Sequence, residues 1–259
     1  MKKSYSLLRG VSFIFFAACL AGTAHAASAQ TYNVGATPTG APFTFFDIKA
    51  DKIRGSMIDI ADAVSKVGGF SIHVVPTSFS ALIPSLTSNK IDFISAGMIK
   101  TDDRAKVVSF SEPVYSYGEG LMVKSDDNTR YTNLDALKGQ VIGVQGGTVY
   151  YTMLNKMGTF KAIKTYNTIA EMVTDLKLGR IKAAVADQPI IAYQLKLGTF
   201  SGVKLSPDYI PTATGQVCFV VRKGDTATLD TLNNAIHTIK SNGTLEKILN
   251  QWGLSTHGA

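Results

Sequence analysis

Short strand-like apolar segments alternate with helix-like patterns along most of this chain, and that alternation narrows the possible folds more than any other feature. Residues 32–36, 71–75, 91–95, 141–144 and 183–185 read as strands. Between the first two, Met57, Ile60, Ala61 and Val64 share one helical face, and Gly68-Gly69 supplies a stop. Thr168-Ile169-Ala170-Glu171 is a capping box, followed by the stripe Met172, Val173 and Leu176 and then by Gly179. Leu229, Leu232, Ile236 and Ile239 make one closing helix, and Leu245, Ile248, Leu249 and Trp252 make another beyond Gly243. Strands interleaved with helices mean an α/β fold.

At 259 residues and 45% hydrophobic, the chain is too long for one minimal domain and suits one large or two medium ones. No internal repeat, low-complexity tract or Pro/Gly-rich linker interrupts it, so any division is made by the fold. The first residues combine a basic start, Lys2 and Lys3, with the apolar run 11–20 and the small-x-small site Ala24-His25-Ala26. This is read as a secretory signal over residues 1–26. A lipoprotein-type cleavage before Cys19 is the less favoured alternative, because Phe16 stands where an aliphatic residue would serve better. The run is short of the roughly 20 apolar residues that a spanning helix needs. Beyond the signal only Cys218 remains, so no intrachain disulfide can form and stability rests on packing. The formal charge of +7 includes Lys2, Lys3 and Arg9 and falls to +4 without them. The basic residues are scattered and not interleaved with aromatics, which gives no support to nucleic-acid binding.

Three segments could carry chemistry. Residues 95–104 leave a buried strand through Gly97, pass Met98 and Ile99, and enter a helix capped by Thr101 that carries Arg104. Ligands gather at the carboxyl ends of strands in α/β sheets, and a guanidinium fork there clamps a carboxylate. The alternative is that Arg104 pairs with a neighbouring aspartate on a solvated helix face. Gln145-Gly146-Gly147-Thr148 repeats the pattern of strand, glycines and helix start, with Thr148 either lining a site or serving only as a cap. It lacks the spacing of a phosphate loop or dinucleotide fingerprint. Asp187 ends an apolar strand before Pro189 and a helix over 190–197, so it could hold an ammonium group or merely cap the helix. Phe43, Phe45, Phe46 and Phe79 are core candidates, any one of which could wall a cleft. His73, His237 and His257 have no metal-ligand spacing, no Gly-x-Ser-x-Gly elbow occurs, and Cys218 reads as a buried inert thiol.

In order and spacing, these segments resemble the bacterial extracellular solute-binding proteins of the polar amino acid transporter family. The resemblance covers nearly the whole chain after the signal. It is carried by Ala41-Pro42-Phe43, residues 56–64, Phe79-Ser80-Ala81-Leu82-Ile83-Pro84-Ser85-Leu86, Gly97-Met98 and Thr101-Asp102-Asp103-Arg104. Phe110-Ser111-Glu112-Pro113 with Tyr115, Gln145-Gly146-Gly147-Thr148, Asp187 and the ending Gly243-Thr244-Leu245-Glu246 with Trp252-Gly253-Leu254 complete it. The resemblance implies a type II periplasmic-binding-protein fold of two α/β lobes joined by two hinge strands. Residues 31–117 plus 218–259 would form one lobe and 118–217 the other.

By the same resemblance, Arg104 would clamp the ligand carboxylate with help from the backbone at Ile99, Gly147 and Thr148. Asp187 would hold the ammonium, Gly97 would offer a carbonyl beside Met98, and Phe79 and Phe43 would wall the site. A zwitterion bridging two lobes would favour closure. The sequence departs from the family at Ile99, where a hydroxyl residue is usual, and at Thr37 and Gly40, which replace an acidic and an aromatic residue. The implied protein is a periplasmic, monomeric binding component of an ABC importer, without cofactor or metal. Its partners would be a small zwitterionic ligand and an inner-membrane ABC permease. A dehydratase-like enzyme on the same fold, with Glu119 as general acid, and a soluble sensor partner are the competing readings.

Overall fold

The structure is a computed structural model that describes Met1 and residues 30–254. The expected signal, Cys19 and His257 lie outside those residues. From the first described segment, β1 (Thr31–Ala36), β2 (Thr39–Gly40), β3 (Thr44–Asp47) and β4 (Lys52–Arg54) lead into α1 (Ser56–Gly68). Next come β5 (Ser71–Pro76), α2 (Leu82–Thr87), β6 (Phe93–Ile94), α3 (Asp102–Ala105) and β7 (Val108–Tyr117). The middle of the chain adds β8 (Glu119–Lys124), β9 (Val141–Gln145), α4 (Val149–Met157), β10 (Ala162–Tyr166) and α5 (Ile169–Lys177). It continues through β11 (Ala183–Asp187), α6 (Gln188–Lys196) and β12 (Val203–Leu205). Finally β13 (Gly215–Arg222), α7 (Thr226–Ser241) and α8 (Thr244–Gln251) close the described chain.

Two five-stranded mixed sheets organise these elements into two α/β lobes. The first runs β5-β1-β6-β13-β7 and the second β10-β9-β11-β8-β12, while β2, β3 and β4 form a small antiparallel sheet. Within each large sheet the successive crossover strands are parallel, and the strands next to the crossing point are antiparallel. The chain leaves the first sheet at Tyr117 and starts the second at Glu119. It returns through β13, whose first residues Gly215 and Gln216 pair with Tyr117 and Ser116.

Local chemistry sets the helices that flank these sheets. Gly69, left-handed at φ 70°, ends α1, as the double glycine requires. The capping box forms at α5, where the Thr168 hydroxyl accepts from the Glu171 amide and the Glu171 carboxylate accepts from the Thr168 amide. In the first lobe, Phe93 packs edge-on against Tyr32, Phe70 and Phe219. The Trp252 indole N–H donates to Asp59 at 2.7 Å and ties the end of the described chain to α1. Cys218 is fully buried in β13, and burial pushes its thiol up to about 11.

Candidate functional site

The carboxyl ends of strands in both sheets meet at the seam between the lobes, and three loops bring the polar groups there. After β6 the chain turns through Gly97 at φ 64°, a left-handed conformation natural to glycine. A Cβ at Gly97 would press on the Phe43 ring at 3.1 Å. Phe43 is therefore a buried wall beneath this turn, stacked on Tyr117 with ring centroids 5.2 Å apart. The Gly97 carbonyl accepts from the Tyr117 hydroxyl at 2.9 Å. Met98 is buried among Leu82, Leu86 and Val220, so only its backbone is near the seam. The Ile99 side chain lies over the first residue of β13, where any Cβ at Gly215 would collide with it.

Arg104 follows from the N-terminus of α3, where the Thr101 hydroxyl accepts from the Arg104 amide. Its guanidinium does not pair with the neighbouring aspartates, since Asp103 is engaged by Lys106 at 2.7 Å. Instead Nη1 donates to the Ile99 carbonyl, and Nη2 reaches the other lobe to donate to the Gly147 carbonyl at 2.9 Å. The Phe79 ring stacks beneath it, 5.8 Å from the guanidinium carbon to the centroid. Burial lowers the Arg104 pKa, and nearby Tyr117 and Asp187 oppose that shift. Arginine stays cationic throughout the physiological range.

From the second lobe come the turn before α4 and the end of β11. Gly147 adopts φ 78°, and a Cβ there would approach Ser80 Cα to 2.9 Å. Glycine is thus required both by its conformation and by the close approach of the lobes. The Thr148 hydroxyl donates to the Gln145 carbonyl at 2.8 Å and accepts from the Tyr151 amide, so it caps α4. Asp187 occupies the N-cap position of α6 but makes no side-chain cap hydrogen bond. Its carboxylate faces the seam, where burial raises its pKa to about 6 against the opposing pull of Tyr117, Tyr150 and Arg104. Both local alternatives, Arg104 as a surface ion pair and Asp187 as a helix cap, are excluded by these contacts.

Two tyrosines, Tyr117 and Tyr150, lie against Asp187. Burial and then the Asp187 charge push both phenols well above the ordinary range. From sequence, Tyr117 is an alternative wall, with Phe45, for the aromatic lacking at Gly40. Tyr150 follows the Gly147-Thr148 turn by one residue, and its side chain is fully buried. A cavity of about 470 Å³ opens between Pro42, Tyr115 and Trp252 of the first lobe and Gln188, Tyr193 and Lys196 of α6, and neither Arg104 nor Asp187 lines it.

Glu119, the candidate general acid, is fully buried and saturated. It accepts from the Tyr209 hydroxyl, the Thr212 amide and hydroxyl, and the Ala213 amide, at 2.6–3.0 Å. The carboxylate pins the returning loop to the start of β8 and presents nothing to a ligand. Among the described residues, no cluster of His, Cys, Asp or Glu has the makings of a metal site.

Two α/β lobes joined by two strands, with a guanidinium on one facing a carboxylate on the other, define a ligand-capturing protein of the type II periplasmic-binding class. Residues 32–255 match the model for bacterial extracellular solute-binding proteins, family 3, and the chain belongs to that family. It is 32% identical to ABC transporter arginine-binding protein 1 of Escherichia coli (strain K12), across 92% of this chain and 98% of that protein. Two solved structures of an ancestral arginine-binding protein are each 33% identical to it. The one bound to arginine has a TM-score of 0.78 and covers 86% of this chain and 97% of its own. The one bound to glutamine has a TM-score of 0.79 and covers 87% and 98%.

Proposed function

We propose that this protein is the periplasmic substrate-binding component of an ABC importer, that it captures an α-amino-acid zwitterion between its lobes, and that it presents the closed form to an inner-membrane permease. The observation that carries the ligand class is the opposition of Arg104 and Asp187 across the seam, each free of the local partner its sequence context offered. The Arg104 fork takes the α-carboxylate, aided by backbone amides at Ile99 and Thr148. Asp187 takes the α-ammonium, with Gly97 adjoining. Phe79 covers the ligand, while Phe43 and Met98 support the turn from behind. Because the two charges belong to different lobes, the bound zwitterion makes its full set of contacts only when the lobes close. A ligand shifts an equilibrium by that difference in contacts.

The named relatives include arginine binders, and the ancestral protein accommodates glutamine too. In this chain the wall at Thr37 is an uncharged hydroxyl that pairs with that of Thr44 at 3.1 Å. Gly40 faces Ile190 of the other lobe. The lobes divide where the chain crosses between the sheets, near Gly118 and near Gly215, and the signal at residues 1–26 directs the protein, a monomer, to the periplasm. Titration calorimetry with the twenty L-amino acids tests this reading. At least one should bind, and Arg104→Ala should weaken it by about 100-fold or more, the loss of two charge-assisted hydrogen bonds. Binding that survives Arg104→Ala would refute the clamp.

A further inference from the structure

The Tyr150 hydroxyl is buried and has no hydrogen-bond partner. A tyrosine in such a place is costly, since an unmade hydrogen bond in a buried site is worth about 1–3 kcal/mol. Phenylalanine would fill the same space without that cost. The hydroxyl lies in the first turn of α4, next to the Gly147-Thr148 turn, near enough to the Asp187 carboxylate to feel its charge but outside hydrogen-bond geometry. It belongs to the lobe opposite Arg104.

The first lobe is short of acceptors where an ammonium would sit. The Gly97 carbonyl already accepts from Tyr117 at 2.9 Å. At the next-but-one position, Ile99 offers no hydroxyl, and its side chain is committed to covering Gly215. An α-ammonium has three N–H donors to place, of which the Asp187 carboxylate takes one or two.

We infer that Tyr150 is a ligand-binding residue whose hydroxyl accepts a hydrogen bond from the α-ammonium of the captured amino acid, supplying from the second lobe the contact that Ile99 does not make from the first. The same hydroxyl then donates to Asp187, so its donor and its acceptor are both used and the carboxylate is held in place. The inference rests on the amino-acid reading above.

The test compares wild type and Tyr150→Phe by calorimetry. The ligands are L-arginine, L-glutamine and L-histidine, together with the same compounds lacking the α-amino group. Tyr150→Phe should weaken the tightest-binding amino acid by about tenfold, the equivalent of one charge-assisted hydrogen bond. It should leave the weaker binding of the deaminated compound unchanged, and it should not lower the thermal midpoint of the protein without ligand. Adding Ile99→Thr to Tyr150→Phe should recover part of the loss by restoring a hydroxyl to the first lobe. Equal losses for both compounds, no loss for either, or a lowered midpoint without ligand would each overturn the inference. Arg104→Ala separates it from the underlying reading. If that change abolishes binding while Tyr150→Phe has no effect, the clamp stands and the Tyr150 contact falls. If none of the three amino acids binds, both fall.

Discussion

Asp187 shows at the scale of one residue how a binding site works against its own fold. Burial raises its pKa from 3.8 to about 6, so the folded protein holds that proton more tightly than the unfolded chain does. The stability contributed by the uncharged carboxyl is fully present below pH 3.8 and is lost as pH rises through about 6. At neutral pH the buried charge is a burden that only a cationic ligand relieves. Asp187→Asn should therefore raise the thermal midpoint of the ligand-free protein at pH 7 and narrow the difference near pH 4, while abolishing amino-acid binding. Ligand affinity in the wild type should fall as pH drops below about 6, as calorimetry across pH 4.5 to 7.5 would show. The sequence singled out Arg104, Thr148 and Asp187 because each lies where the chain passes from a strand into a helix. Their partners were not, because the choice between a local aspartate and a distant lobe depends on side-chain direction, which no local pattern encodes. Tyr150 was hidden for a related reason: an aromatic in the first turn of a helix reads as core until its hydroxyl is seen without a partner.

Among the elements, β8 and the loop that returns to β13 show why a buried carboxylate need not be catalytic. Glu119 receives four donors, two of them backbone amides, and so fixes the position of residues 209–213 relative to the hinge. Replacing one oxygen by an amide nitrogen would set donor against donor whichever way the new side chain is turned. Glu119→Gln should cost about 2–3 kcal/mol in urea unfolding, measured as a lower denaturation midpoint. A catalytic acid would instead leave stability intact and remove turnover. Element types and most boundaries followed from sequence, since periodic apolar faces and caps such as Thr168 with Glu171 are local signals. Strands β2, β3, β4, β10 and β12 were missed, and β7, β8 and β13 were implied only as hinge strands by the resemblance. The missed strands are two to five residues long, and they exist because neighbouring strands supply their hydrogen bonds.

For the molecule as a whole, closure depends on how nearly the lobes can touch. Gly147 meets Ser80 backbone to backbone and accepts the cross-lobe bond from Arg104. Gly147→Ala should hold the lobes apart. We expect ligand affinity to drop by more than tenfold, and the radius of gyration measured by small-angle scattering with saturating amino acid to stay larger than that of the wild type. The thermal midpoint without ligand should fall modestly, by the roughly 1–2 kcal/mol that a left-handed alanine costs in any state of the lobes, while the clash with Ser80 is added only when the lobes close and so falls on affinity.

The position of β13 carries a further consequence. It lies between β6 and β7 in the first sheet, although the 97 residues 118–214, nearly all of the second lobe, separate it from β7 along the chain. A growing polypeptide cannot finish that sheet until its last fifth has left the ribosome. Pairings at such sequence separation form slowly. If the chain is exported unfolded, as the proposed signal implies, this slowness lengthens the interval in which an export machinery still finds it unfolded.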